Sequence, residues 1–362
     1  MMASNANRIG LIGLGDMANA HINGFKNHAP HMNITAICDV REAALAKTGD
    51  QLHIPESLRF ADYRELIAND EVDTVISITP NALHAEIMEL CLQAGKPFLS
   101  EKPFAMTMEE ADRLLALYKD TPVPAMIGFG YRYTPAFRFA RKLLSEGKIG
   151  NVRHFSVQYL QEWGSAAFDV PFVWRFDKKA TGTGTLGDLG THMIDLAHYL
   201  FGSFEELAAR LVTLIEERKS LATGEPVQVE VDDLACFHAL MKNGAVGTFQ
   251  TTRNAIGSGN QLDISIYGDA GTIRASTEDP EHVVWIHQDG ETGSRVEKRL
   301  SVPHSVKLSQ WEDFARLLAG SPSDGLPGFM AGYESQQVLE AIVRSHEQKR
   351  TVTVGEEGAD KQ

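Results

Sequence analysis

The sequence predicts an α/β chain in two parts. A doubly wound parallel sheet comes first, and an α+β domain with a large, open, mostly antiparallel sheet follows. Three observations predict this. Short apolar runs alternate with helix-like stretches through the first third of the chain, as βαβ crossovers require. A glycine-rich turn joins the first apolar run to the first helical stretch. Beyond about Gly128, extended segments alternate apolar and polar residues, as in Leu262-Asp-Ile-Ser-Ile-Tyr267, so one face is buried and the other is not.

Taken in order, the strands are expected at Ile9–Ile12, Ile34–Asp39, Thr74–Ile78, Pro97–Ser100 and Ala125–Phe129, with a short extended piece at Ser57–Phe60. Helices are expected at Met17–Asn27, Glu42–Thr48, Tyr63–Ala68, Leu83–Ala94 and Met108–Lys119. A helix over Pro135–Glu146 then stops at Gly147, a residue suited to a helix C-terminus. The extended candidates that follow are Val152–Leu160, Leu207–Ile215, Val227–Met241, Ala245–Arg253, Leu262–Tyr267, Thr272–Ala275, Val283–His287 and Arg295–Val302. Leu189–Leu200 interrupts them as a helix, and helices near Gln310–Leu318 and Tyr333–His346 come after. The charged tail Glu356–Gln362 is expected to fray. At 362 residues the chain suits two domains. They are expected at 1–127 and 128–362, with the final helix, 333–346, packing back on the first.

Composition narrows the function. Lys and Arg number 34 against 48 Asp and Glu, a formal net charge of −14. Binding to nucleic acid or to an anionic membrane draws on clustered cations, and no Lys/Arg-rich run is present. Cys38, Cys91 and Cys236 lie far apart and form no CxxC pair, which excludes a disulfide scaffold and a cysteine-rich zinc module. The apolar run Ile9–Ile12 is too short for a signal-peptide core, and no stretch approaches a membrane span. A soluble, cytoplasmic protein is expected.

Gly13-Leu-Gly15-Asp16-Met17-Ala18 has the GxGxxA form of a dinucleotide fingerprint. The first glycine makes the tight turn, the second lets backbone approach a pyrophosphate, and a small third residue lets helix pack on strand. Asp39, at the end of the second predicted strand, stands where the ribose hydroxyls need an acid. It favours NAD, while Arg41 could turn onto a 2′-phosphate, so NADP stays open. A second literal match, Gly182-Thr-Gly184-Thr-Leu-Gly187, follows a charged stretch rather than a buried strand, and reads as a loop before a helix.

Three groups carry candidate chemistry. Lys102, in Glu101-Lys102-Pro103, stands at the C-terminal edge of the predicted parallel sheet. It is either a surface lysine in a turn or a donor to a substrate oxygen that shares in proton transfer. Asp188 and His192 are four apart, so on a helix they share a face, and a carboxylate beside a histidine would orient an acid/base. The alternative makes Asp188 the helix N-cap with His192 one turn in. A metal site from Asp188, His192 and Asp195 is geometrically possible, but nothing else in the sequence calls for one. Thr79-Pro80-Asn81-Ala-Leu-His84 ends the Thr74–Ile78 strand. There Asn81 and His84 line a cofactor crevice, or Asn81 only caps the next helix.

Together these residues resemble the Gfo/Idh/MocA oxidoreductases almost end to end. The resemblance rests on Ile12–Ala18, Asp39, Thr79–His84, Glu101-Lys-Pro103, Gly130-Tyr-Arg-Tyr-Thr-Pro135, Gly147-Lys-Ile-Gly150, Leu186–His192 and Ile266-Tyr-Gly-Asp-Ala-Gly271. Ala18 in place of a third glycine and Asp16 in place of a small or aliphatic residue are the departures. The resemblance implies a Rossmann domain followed by an open-sheet α/β domain, with the active site between them. It implies that Lys102, Asp188 and His192 handle the alcohol proton. The expected cofactor contacts are Gly13, Gly15, Asp16, Met17, Ala18, Asp39, Arg41, Thr79, Pro80, Asn81, His84, Glu101 and Lys102. The expected substrate wall adds Arg132, Trp163, Trp174 and Arg175, since sugar C–H faces stack on indoles and hydroxyls need donors; core packing is the competing role for the tryptophans. The implied activity is NAD(P)-dependent oxidation of a secondary hydroxyl of a sugar, cyclitol or sugar derivative. A nucleotide-binding sensor without turnover and an enzyme using tightly held NAD transiently are the alternatives. A homodimer or homotetramer through the second sheet is expected by the same resemblance.

Overall fold

A computed structural model describes residues 7–356 of the chain; residues 357–362 of the tail expected to fray lie outside the described range. The chain divides into two compact units, one ending at Gly128 and including Leu308–Tyr333, the other built from Phe129–Lys307 and the residues from Glu334 onward.

The first unit is a six-stranded parallel sheet in the order β3-β2-β1-β4-β5-β6. Its strands are β1 (Arg8–Ile12), β2 (Asn33–Cys38), β3 (Arg59–Phe60), β4 (Thr74–Ser77), β5 (Phe98–Ser100) and β6 (Ala125–Ile127). The connecting helices are α1 (Ala18–His28), α2 (Glu42–Leu52), α3 (Tyr63–Ala68), α4 (His84–Gln93) and α5 (Met108–Asp120). Ile9, Leu11, Ala36, Ile37, Val75 and Ile76 are wholly buried, because helices cover both faces of a parallel sheet. The strand order reverses between β1 and β4, and at such a switch point ligands lie beyond the carboxyl ends of the strands. Local capping fixes the helix starts elsewhere. Thr107 accepts from the Glu110 N–H while the Glu110 carboxylate accepts from the Met106 N–H, a reciprocal cap at the start of α5.

The second unit contains α6 (Pro135–Ser145), β7 (Val152–Leu160), α7 (Lys178–Thr181), α8 (Thr191–Phe201), β8 (Phe204–Val212), β9 (Glu217–Lys219) and β10 (Pro226–Gln228). It continues with β11 (Leu234–Met241), β12 (Val246–Thr252), β13 (Gln261–Gly268), β14 (Gly271–Ser276), β15 (His282–Gln288) and β16 (Arg295–Ser301). Helices α9 (Gln310–Leu318) and α10 (Phe329–Gln348) and the short β17 (Val352–Thr353) complete the chain. Nine strands form one sheet, β16-β15-β14-β13-β7-β12-β11-β8-β17. Only the β7–β12 pair is parallel, so the sheet is mixed and largely antiparallel, as expected. One face packs on α6 and α8 through stacked Phe155 and Phe201 and through Phe237 and Phe249. The other presents Ser156, Gln158, Cys236, His238, Thr248 and Gln250 around an open depression of about 480 Å³.

Two expectations are corrected. The extended run Val227–Met241 is two strands, because Asp232 and Asp233 between them turn inward and are buried. Asp233 accepts from the backbone N–H groups of Leu214 and Ile215, and Asp232 serves the loop before α8. The domain expected at 128–362 gives up Leu308–Tyr333, which includes the first residues of α10, to the first unit. Phe314 of α9 packs edge-on to Phe25 of α1, Pro327 O accepts from the Ile127 N–H, and Phe329 stacks on Tyr118. The rest of α10 belongs to the second unit, where Ser345 Oγ accepts from the Ala209 N–H.

Candidate active site

The cofactor end begins at Gly13, whose φ of +93° suits only glycine. A Cβ there would stand 2.3 Å from Ile78 O, so the turns after β1 and β4 are in direct contact. At Gly15 a Cβ would meet nothing within 4 Å, and α1 opens without a side-chain cap. An open glycine beside uncapped N–H groups suits a pyrophosphate. The Asp39 carboxylate is held from two sides: Oδ2 accepts from the Leu14 N–H at 2.8 Å, and Oδ1 from the Arg41 N–H at 2.9 Å. The Arg41 guanidinium closes on both oxygens at 3.0 Å and also donates to Leu14 O. Burial works against the Asp39 charge, but these hydrogen bonds outweigh it and hold the carboxyl below its ordinary pKa. Ala18 is buried against the sheet, whereas Asp16 and Met17 are exposed. The residues present therefore fit a dinucleotide.

His84 corrects the sequence reading, and of the two roles open to Asn81 the helix cap falls away. His84 is buried, and its ring nitrogens lie 2.7 Å from Pro103 O and 2.9 Å from Thr79 O. Burial lowers the ring's pKa, against the opposing pull of the two carbonyls. His84 thus fastens the turn after β4 to the turn after β5 rather than lining a crevice. Asn81 opens a single 3₁₀ turn, and Leu83, not Asn81, precedes α4. Replacing His84 with alanine is expected to lower stability by about 2–4 kcal/mol through a cavity and a lost hydrogen bond, and to weaken NADH binding. Denaturant unfolding and cofactor fluorescence titration check both.

Glu101 has a partner the sequence reading missed. His21, on the buried side of α1, places Nε2 3.0 Å from Glu101 Oε1. Trp311 of α9 donates its indole N–H to His21 Nδ1 at 3.4 Å, so the Nε2 proton faces the carboxylate. The Lys102 N–H donates to Glu101 Oε2 at 3.3 Å. A histidine on the sheet-facing stripe of α1 was the only sequence signal.

In the second unit, Leu186–Gly190 is a single π turn that runs directly into α8. Such turns are often found at functional sites. Asp232 builds it: its carboxylate accepts from the N–H groups of Gly184 and Leu186, both at 2.7 Å. A Cβ on Gly184 would stand 2.0 Å from Asp232 O. The second glycine match is therefore a close-packed start to a helix, not a nucleotide turn. Asp188 is not the cap of that helix. Its Oδ2 accepts from Arg253 Nη2 at 2.7 Å, with Arg175 Nε 3.9 Å away. His192 is 9% exposed and meets the Tyr131 ring edge-on at 4.7 Å.

Around the histidine runs a polar wall. The Tyr131 and Tyr159 hydroxyls are 2.6 Å apart, Asn260 bonds both, Gln161 donates to Asn260, and Trp163 donates to Gln161. Burial raises the Tyr159 phenol, which stays neutral. Trp163 is thus anchored at the edge of this wall, Arg175 covers the Trp174 ring at 4.5 Å, and Trp174 is 46% exposed.

Arg132 does not belong to the substrate wall. It is buried and forms a two-pronged pair with Asp195 at 2.7–2.8 Å. Burial raises the Asp195 carboxyl to about 6 against the pull of Arg132, leaving it ionised at neutral pH. Asp195 is thereby turned away from any metal role. Among the described residues no three His, Cys, Asp or Glu side chains group to hold a metal ion. Asp195→Asn, which leaves the buried guanidinium without its charge partner, is expected to cost about 3–5 kcal/mol in denaturant unfolding.

The family model described as the oxidoreductase family, NAD-binding Rossmann fold, matches residues 7–129, and the GFO/IDH/MocA C-terminal domain matches residues 137–274. The chain belongs to the Gfo/Idh/MocA oxidoreductases. Among curated members of that family, levoglucosan dehydrogenase of Pseudarthrobacter phenanthrenivorans is 33% identical over 96% of this chain and 97% of its own length. Glucose-6-phosphate 3-dehydrogenase of Bacillus subtilis is 27% identical over 96% and 98%. A solved levoglucosan dehydrogenase in complex with NADH and L-sorbose superposes with a TM-score of 0.89 at 30% identity, covering 96% of this chain and 98% of that one. This member is accordingly an NAD(P)-dependent oxidoreductase, and its first domain is the family's NAD-binding domain. No helix among the described residues is long and apolar enough to cross a membrane.

Proposed function

We propose that the protein oxidises a secondary hydroxyl of a sugar, a cyclitol or a sugar derivative, with NAD as the preferred acceptor. The observation that carries this reading is the His192 site: a buried histidine in the first turn of α8, packed on the Tyr131 ring whose hydroxyl pairs with that of Tyr159, just after a turn whose acid, Asp188, is anchored by Arg253. The Tyr131 and Tyr159 rings that pack against the histidine carry a chain of hydroxyl and amide groups, which suits a neutral polyhydroxylated ligand. The names of the similar proteins, levoglucosan dehydrogenase and myo-inositol 2-dehydrogenase of Thermotoga maritima among them, support the same substrate class.

When bound, the nicotinamide supplies the hydride acceptor. Lys102 and His192 handle the hydroxyl proton: the imidazole accepts it as the carbinol hydrogen leaves, and the lysine ammonium donates a hydrogen bond to the developing alkoxide. Asp188 orients the histidine and accepts from a neighbouring hydroxyl. Trp163 and Arg175 form the wall beside Asp188. Asp39 favours NAD over NADP, because an ionised carboxylate repels a 2′-phosphate. Self-association through the open face of the nine-stranded sheet, as a dimer or tetramer, would cover its depression. A panel of sugars, inositols and nucleotide sugars, each assayed with NAD and with NADP for reduced nicotinamide, tests the reading. Cofactor binding without reduction on any polyol would overturn it.

A further inference from the structure

We propose that Arg253 is a positioning residue for this reaction, holding the Asp188 carboxylate in register with the Trp163 wall. The inference rests on the reading of Asp188 and His192 given above. Arg253 directly follows β12 and is 1% exposed. A buried guanidinium is costly unless an acid compensates it, and the acid it hydrogen-bonds is Asp188, at 2.7 Å. The same Nη2 lies 3.5 Å from Gly184 O, so one side chain touches both the start of the catalytic turn and its acid. Its planar face lies 5.1 Å from the Trp163 ring and 6.0 Å from Phe176, which shields the charge without neutralising it. Nε and Nη1 are buried without hydrogen-bond partners among the described residues. The residue is therefore not optimised for stability, and its position follows from the carboxylate it holds.

The backbone of Arg253 adds the second half of the argument. Its carbonyl accepts from the Gly164 N–H at 2.9 Å, next to Trp163. Arg218, lying over Phe176 at 3.9 Å, donates to the carbonyls of Gly164 and Val170. The loop that carries Trp163 is thus pinned to the same strand end that fixes Asp188. The nearby Arg175 is 3.9 Å from Asp188 and partly exposed, and it cannot replace a buried, directed donor.

Arg253→Met keeps the bulk of the stem and removes the charge; Arg253→Lys keeps the charge and loses the fork. Each is combined with Asp188→Asn in a thermal-unfolding cycle. The single substitutions are expected to lower Tm by several degrees each, and Arg253→Met with Asp188→Asn no more than Arg253→Met alone. Additive losses would overturn the proposal. If Arg253→Met does not fold, the cycle is read with Arg253→Lys. In turnover, Arg253→Met is expected to lower kcat by about 10–100-fold, the equivalent of one charged hydrogen bond. NADH affinity should stay within two-fold, and Arg253→Lys should recover part of kcat. A folded Arg253→Met enzyme with wild-type kcat would also overturn the proposal. Should the wild-type protein reduce NAD with no polyol, the dehydrogenase reading fails, and the unfolding cycle still decides whether Arg253 and Asp188 act as a pair.

Discussion

His192→Asn is expected to lower kcat by about 10²–10⁴-fold, the range a positioned acid/base contributes, while NADH binding is unchanged. Asparagine cannot accept the hydroxyl proton, and the residues proposed to hold the cofactor, Gly13, Gly15 and Asp39, are untouched by the change. Lys102→Met is expected to cost a similar factor by removing the cation that stabilises a developing alkoxide. Structural collapse is separated from lost chemistry by thermal unfolding. His192 packs edge-on to Tyr131, so a small loss of stability accompanies the substitution, but a folded protein that binds NADH and does not turn over is the expected phenotype. If either variant retained turnover within a few-fold of wild type, the assignment of proton transfer to these two residues would be wrong.

The second large effect concerns cofactor choice. Asp39→Ala is expected to raise the KM for NAD by about 10–100-fold, because charged hydrogen bonds contribute about 1.5–3 kcal/mol. It should shift the NAD/NADP preference by at least as much. In the native protein both Asp39 oxygens are closed on by Arg41. Removing the carboxylate takes away a repulsive charge and frees a guanidinium that suits a phosphate. Asp39→Asn separates the parts: its single amide oxygen keeps one of the two acceptors that serve the Leu14 and Arg41 N–H groups but drops the charge. It should therefore relax the preference without a comparable loss of NAD affinity. Initial rates with each cofactor, at one saturating substrate concentration, supply the comparison. An Asp39→Ala enzyme that kept the wild-type ratio would show that discrimination lies elsewhere.

The first unit could be read from its sequence because its signals are local. A buried strand, a glycine turn, a helix and an acid at the next strand end all fall within Arg8–Asp39. The fold also supplies the reason why the second glycine match fails: Gly184 is needed for close approach to Asp232, a residue far along the chain. The rest of the site depends on such distant partners. Arg132 resembles a substrate donor until Asp195, sixty-three residues later, is seen to occupy it. Arg253, Tyr159 and Asn260 join Asp188, Tyr131 and Trp163 only through sheet pairing and loop packing, which no periodicity encodes. The sequence places His84 at a strand end, but its two carbonyl neighbours, Pro103 O and Thr79 O, make it a fastening between turns. Leu308–Tyr333 joins the first unit because Phe314 and Phe329 fill gaps beside α1 and α5, and an amphipathic pattern does not say which sheet it will cover.

The proposed reaction gives His192 and Lys102 the proton chemistry of NAD-linked oxidation of a polyol hydroxyl. The most direct measurement follows reduced nicotinamide on a panel of sugars and cyclitols, with wild-type protein beside His192→Asn and with NADH binding measured for both. The expected result is NAD reduction on at least one polyol by the wild type, its loss in the variant, and equal NADH affinity in the two. Equal turnover in wild type and variant, or tight NADH binding with no reduction on any polyol, would contradict it.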